Sequence, residues 1–292
     1  MEFRNYGTTG LKVSVIGFGA GEIGDYSVPE NQAEKILNTA LDSGINLIDT
    51  ARGYFASEER IGKFLSHRRK EFVLSTKVGY GIQGFGDWTY DIIIVGVDEA
   101  LRLMRTDYID IVHLHSCDVD ILRRGEVIDA LDKTVEAGKV RFAAYSGDNE
   151  AVDFAVGSGR FQGIQTSINL TDQRNLYSLL PDAMSKGLGI IAKRPLANAP
   201  WRFNDQPFGH YCEDYWLRWK KMNYNPDIEW GELFLRFVLS IQEISSAIIG
   251  TVNPDHLKEN IEIAARGSLP KNVFKDLVNI FRKNDNNWVG LT

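Results

Sequence analysis

Eight short runs of β-branched and apolar residues alternate with longer stretches of helical periodicity, and that alternation limits what this chain can fold into. The runs cover residues 13–18, 46–49, 72–76, 109–113, 142–146, 163–166, 189–192 and 247–249. Between them, residues 31–41 place Ala33, Ile36, Leu37, Ala40 and Leu41 on one helical face, and residues 97–104 and 127–135 carry similar stripes. Repeated strand–helix units build a parallel sheet covered by helices. Eight of them predict a closed (β/α)8 TIM barrel rather than an open sheet. A length of 292 residues suits one such barrel, and no linker or low-complexity stretch interrupts it, so residues 1–292 are expected to form a single domain.

Two segments depart from the rhythm. Runs at 1–6 and 11–13, joined by Gly7-Thr8-Thr9-Gly10, read as a β-hairpin ahead of the first unit. Residues 195–228 are long and aromatic, with Trp201, Phe203, Phe208, Tyr211, Tyr215, Trp216 and Trp219, and are expected to form an extended loop with some helix. Those rings either overhang the barrel mouth, as an apolar face for an aromatic or sugar ring, or pack the loop onto itself. A helix is expected over 254–265 and another from Pro270 to about Arg282.

Charge and cysteine content narrow the function classes. With 33 Lys and Arg against 39 Asp and Glu, the net charge of -6 disfavours nucleic acid as a partner. Cys117 and Cys212 make no disulfide framework, and no Cys/His cluster has metal-ligand spacing, so no metal is expected. No apolar run is long enough to span a bilayer and the first residues lack an apolar signal region; the expectation is a cytoplasmic protein with no membrane partner. The oligomeric state is not legible.

Chemistry-bearing residues gather where a barrel keeps its active site. Asp49, Lys77, His115, Ser146, Gln165 and Lys193 fall at or just beyond the C-terminal ends of the runs. Asp49-Thr50-Ala51 is followed by Tyr54, Lys77 lies in Ser75-Thr76-Lys77-Val78-Gly79, and His115 closes His113-Leu114-His115. A tyrosine with an ordinary pKa of about 10 is a poor acid at neutral pH unless a cation stands beside the phenol. Lys77 can be that cation, Asp49 its counter-charge, and His115 a hydrogen-bonding partner for a substrate oxygen. Taken singly, each has an ordinary explanation: a cap, a solvated charge, a loop aromatic. Type, order and strand-end placement together favour a catalytic set. His113 shares the parity of His115 and could point the same way.

This set resembles the Asp-Tyr-Lys-His tetrad of the aldo-keto reductase family, matching Asp49, Tyr54, Lys77 and His115 one by one. Supporting motifs are Tyr6-Gly7-Thr8-Thr9-Gly10-Leu11-Lys12-Val13-Ser14, Gly17-Phe18-Gly19, Gly138-Lys139-Val140-Arg141, Gly250-Thr251-Val252-Asn253-Pro254 and Glu259-Asn260. The resemblance implies that the hairpin closes the barrel bottom. It also implies an NAD(P)-dependent oxidoreductase moving hydride between nicotinamide C4 and an aldehyde, ketone or sugar, with Tyr54 as general acid and base, His115 orienting the carbonyl oxygen, and Asp49 both catalytic and beside the cofactor. The alternative is a nicotinamide-binding regulatory or redox-sensing subunit with little turnover.

By the same resemblance, Ser146 and Gln165 face the nicotinamide carboxamide. Gly250, Thr251, Asn253, His256 and Asn260 receive the adenosine end, where a helix N-terminus favours phosphate. Three positions depart from the family pattern. Gly147 stands where the family usually has Asn. Lys193-Arg194-Pro195-Leu196 lacks the usual aromatic that stacks under the nicotinamide; Lys193 or Arg194 would cover the ring, or bind the pyrophosphate or an anionic substrate, with Leu196 alongside. Gly250 and His256 stand where NADP-selective members often carry Lys or Arg. NADP(H) is the expectation by resemblance, with NAD(H) or dual use open.

Overall fold

The computed structural model describes residues 1–291. Ten strands follow in order: β1 Phe3–Asn5, β2 Lys12–Ser14, β3 Ile16–Gly19, β4 Leu47–Asp49, β5 Val73–Val78, β6 Ile109–His115, β7 Val140–Ser146, β8 Gly163–Ser167, β9 Gly189–Lys193 and β10 Ser246–Ile249. β3 to β10 close a parallel barrel, with β10 pairing back onto β3. β1 and β2 pair antiparallel with Phe3 opposite Ser14. The expected run 13–18 is therefore two elements. Lys12–Ser14 belongs to the hairpin and Ile16–Gly19 to the barrel, because Ser14 turns its hydroxyl onto the Ile16 carbonyl at 2.7 Å and takes an Asn46 side-chain bond at its N–H instead of continuing the ladder.

Strand parity decides which residues share the barrel interior. Leu47, Val73, Ile111, Ala144 and Ile191 form an inner cluster with Tyr6, Leu11 and Val13 from the hairpin. The alternate positions, among them Ile48, Leu74, Val112, Leu114, Ile164 and Ile190, pack outward against the helices. Asp49, Lys77, His115, Ser146, Gln165 and Lys193 continue the inward parity at the ends of β4 to β9. Apolar filling lies toward the lower end and polar groups stand at the upper rim.

The hairpin seals the lower end with one side chain. Tyr6 is fully buried, and a Cβ built on Gly163 or Gly189 would overlap its hydroxyl or its ring. Those two strands begin with glycine because the phenol occupies the space. Gly189→Ala is expected to cost about 1–3 kcal/mol through overpacking, read as a lower urea midpoint with an unchanged slope. An unchanged midpoint would mean that Tyr6 moves aside freely.

The expected helices appear as Glu30–Asp42, Tyr90–Met104, Glu126–Glu136, Pro254–Ala265 and Lys271–Asn284. The helix Glu30–Asp42 buries the five residues named above for its stripe. Within the aromatic segment the structure forms a 3-10 turn, Pro200–Arg202, and a helix, Glu213–Met222, ahead of the helix Trp230–Leu239. Its rings divide: Trp216 donates to the Phe203 carbonyl at 2.9 Å within the segment, Trp201 and Trp219 pack on Phe234 and Trp230 of the following helix, and Phe208 and Tyr211 are exposed. Among the described residues, no helix is long and apolar enough to cross a membrane, no cluster of potential metal ligands occurs, and both cysteines are unpaired.

Candidate active site

Lys77 is 1% exposed and anchors the site from below. Its Nζ donates to Asp49 Oδ2 at 2.6 Å and to the Thr50 carbonyl at 2.7 Å. Burial opposes the charge, but the Asp49 carboxylate, followed by the Tyr54 phenol, outweighs it and holds the ammonium above its ordinary pKa. Asp49 Oδ1 also accepts Ser75 Oγ at 2.7 Å and Gln165 Nε2 at 2.9 Å. One carboxylate thus ties β4, β5 and β8 together.

Tyr54 sits on the turn between β4 and the helix Ser57–Leu65, with Lys77 Nζ 5.0 Å from its ring centre. Gly24 makes that position possible, since a Cβ there would overlap the Tyr54 carbonyl oxygen. His115 lies edge-on to Tyr54 at 5.8 Å between centroids. Burial, reinforced by the Lys77 and Lys193 ammoniums, pushes the His115 pKa down to about 2, so its ring is neutral. His113 has the same parity but lies one layer deeper. It is fully buried, with Nε2 3.1 Å from Ser75 Oγ, and burial lowers its pKa to about 4. Depth, not direction, separates the two histidines. Because Ser75 donates to Asp49, His113 must donate to Ser75, which makes it a support of the carboxylate.

Tyr54, Asp49 and His115 open into one cleft of about 1300 Å³ that reaches Thr251, His256 and Asn260 at the far side of the mouth. All the residues expected along a cofactor line it; Lys77 alone stays beneath the wall. Ser146 Oγ donates to Gln165 Oε1 at 3.1 Å, which fixes the amide so that Nε2 faces Asp49. Gly147 is required sterically, since a Cβ there would overlap the Tyr145 hydroxyl, which donates to the Cys117 carbonyl at 2.8 Å.

Lys193 pairs with Asp148 Oδ2 at 2.8 Å, and Asp148 is itself held by Thr166 and by the Ser167 N–H, each at 2.8 Å. Arg194 adopts a left-handed backbone (φ 54°) and sends its guanidinium away to the Leu291 carbonyl and the Tyr211 hydroxyl. Of the two basic residues, Lys193 stays at the strand end while Arg194 braces the loop. Asn253 Oδ1 caps the helix Pro254–Ala265 through the Asp255 N–H at 2.9 Å, and the Thr251 hydroxyl accepts the Asn253 N–H at 3.1 Å. Asn260 donates to the His256 carbonyl at 2.8 Å.

Three residues of this cleft region escaped the sequence reading. Asp148 is legible only as the partner of Lys193. Glu22, 3.8 Å from where a Gly250 Cβ would stand, opens the short 3-10 turn Glu22–Gly24, too brief to carry a periodic signal. Tyr80 follows β5 by two residues, and only the glycines at 53 and 79 hint that the chain is making room there.

A family model described as the Aldo/keto reductase family matches residues 15–281. The chain belongs to that family. L-galactose dehydrogenase of Arabidopsis thaliana is 30% identical over 280 residues, covering 89% of this chain and 87% of that protein. D-threo-aldose 1-dehydrogenase of a Pseudomonas species is 25% identical over 299 residues, covering 88% and 91%. The structure of an aldo-keto reductase from Bacillus halodurans in its holo form superposes with a TM-score of 0.84 at 26% identity, covering 96% of both chains. This aldo/keto reductase is an oxidoreductase, and its family generally uses NAD(P)H.

Proposed function

We propose that this chain, as a single barrel domain, transfers hydride between nicotinamide C4 and the carbonyl or alcohol of a small sugar or related compound, with Tyr54 as general acid and base. The observation that carries the reading is the convergence of Tyr54, His115 and the Asp49-held Lys77 at one end of the cleft. The donor set fits a dinucleotide: polar strand ends at Ser146 and Gln165, then a helix N-terminus at Asn253. The named activities of the two dehydrogenases above support an aldose, oxidised at its anomeric hydroxyl, as the substrate class.

A bound nicotinamide supplies the hydride or accepts it. Tyr54 gives its phenolic proton to the substrate oxygen in reduction and takes it back in oxidation. Lys77 stabilises phenolate character at Tyr54 while it lasts, and Asp49 keeps Lys77 charged and in place. His115 holds the substrate oxygen opposite Tyr54.

Carboxylates at the far end of the cleft bear on cofactor choice. Glu22 beside Gly250 and Glu259 disfavour a 2′-phosphate, while Arg266 in the same lining is paired with Glu232, and NAD(H) is the favoured form. Parallel fluorescence titration with NADH and NADPH, followed by turnover of an aldose and aldehyde panel, tests both parts. Tighter NADH binding with aldose turnover is expected; binding of neither nucleotide would overturn the reading.

Since His115 stays neutral, kcat should show no histidine limb between about pH 5 and 8. A limb in that range that disappears in His115→Asn would contradict it. Both histidines have folded pKa values below the ordinary 6.5, so the unfolded chain takes up protons first, and stability is lost as pH falls below about 6.5.

A further inference from the structure

Tyr80 stands outside the four-residue set, yet its hydroxyl lies 2.8 Å from His115 Nδ1, and the two rings stack at 5.2 Å with 27° between planes. That is the only hydrogen bond of either side chain among the described residues. Local sequence is arranged around it. A Cβ on Gly53 would come within 2.9 Å of the Tyr80 hydroxyl. Trp88 meets Tyr80 edge-on at 5.7 Å, and a Cβ on Gly79 (φ 140°) would overlap the Trp88 ring. Trp88 is left-handed (φ 61°) and donates its N–H to the Gly79 carbonyl at 2.8 Å.

Which group donates follows from their chemistry. A phenol is a stronger acid than a neutral imidazole N–H, and an imidazole lone pair is a better acceptor than a phenolic oxygen, so the proton lies between them on the oxygen. Burial, helped by the nearby Tyr54, holds Tyr80 above the ordinary phenol pKa, and His115 is neutral for the reasons given above. With Nδ1 occupied as an acceptor, the ring proton must sit on Nε2.

We infer that Tyr80 is a positioning residue that locks His115 in the Nε2-protonated tautomer, so that His115 presents an N–H donor to the substrate oxygen. One tautomer serves both directions. A carbonyl oxygen accepts from Tyr54 and from His115 together, and an alcohol passes its proton to the Tyr54 phenolate while still accepting from His115. The inference rests on the reading of His115 as the partner of the substrate oxygen, but the tautomer is measurable without substrate.

Histidine nitrogen NMR of the 15N-labelled full chain reads the tautomer directly, with the His115 signals identified by their loss in His115→Gln. The native protein should show Nε2–H and a bare Nδ1. Tyr80→Phe keeps the ring against Trp88 and removes only the hydroxyl. In it the His115 signals should move toward a mixture of tautomers and kcat should fall about 10- to 100-fold, while the Kd for the reduced cofactor is unchanged. An Nδ1-protonated ring in the native protein would overturn the inference. So would a Tyr80→Phe variant whose tautomer does not move, even if kcat falls, or one whose kcat does not fall. Absence of carbonyl turnover by the native protein would instead overturn the proposed function, leaving the tautomer assignment to be decided by the spectrum.

Discussion

Tyr54→Phe should bind reduced cofactor as the native protein does and turn over about a hundred- to ten-thousand-fold more slowly, the range expected when a positioned general acid is removed. The substitution deletes one oxygen and leaves the ring beside Lys77 and His115. The ammonium stays paired with Asp49, so the electrostatics beneath the ring persist. The loss should therefore fall on kcat, with little change in cofactor Kd or folding stability. Single-turnover hydride transfer, followed by the absorbance of the reduced nicotinamide, separates the chemical step from release. A rate within about threefold of native would place the proton donor elsewhere.

Asp49→Asn should be the most damaging exchange for the fold as well as for turnover. It strips the counter-charge from an ammonium that is 1% exposed, and breaking a buried pair by removing one partner costs about 3–5 kcal/mol. The neutral amide, with a single acceptor oxygen, could not accept well from Ser75, Gln165 and Lys77 at once, so β5 and β8 would lose a shared anchor. Lys77→Met should destabilise less, because Asp49 keeps two hydrogen-bond donors. The double variant Asp49→Asn with Lys77→Met should recover at least about 2 kcal/mol relative to the sum of the single changes, and regain no activity. Urea unfolding of the four proteins gives that cycle. Additive losses would mean that the pair is not a coupled unit.

The chain announced its barrel through apolar runs at regular spacing, and the ends of those runs marked the rim. Val73, Ser75 and Lys77 are two residues apart, so parity alone assigns them to one face of β5. Parity could not rank His113 against His115, because depth along a strand depends on how the barrel closes around it. Lys193 was legible as a strand-end residue, but its partner Asp148 sits in the loop after β7, and pairing across strands leaves no trace in local spacing. Tyr80 was hidden for a similar reason: its purpose depends on a ring brought from β6 by tertiary structure. The hairpin was visible in Gly7-Thr8-Thr9-Gly10, whereas the break at Val15 was not, since the residues on both sides of it are buried and β-compatible.

The chemistry-bearing groups Asp49, Lys77, His115, Ser146 and Gln165 all stand on strands, while Trp201, Arg202 and Tyr211 reach the cleft from a segment with its own aromatic packing. The strand-borne groups and the aromatic wall of the cleft thus belong to separate pieces of the chain. If the proposed roles hold, an exchange within residues 195–228 would reshape the mouth of the cleft without touching the Asp49–Lys77 pair, so substrate preference should diverge faster among relatives than mechanism.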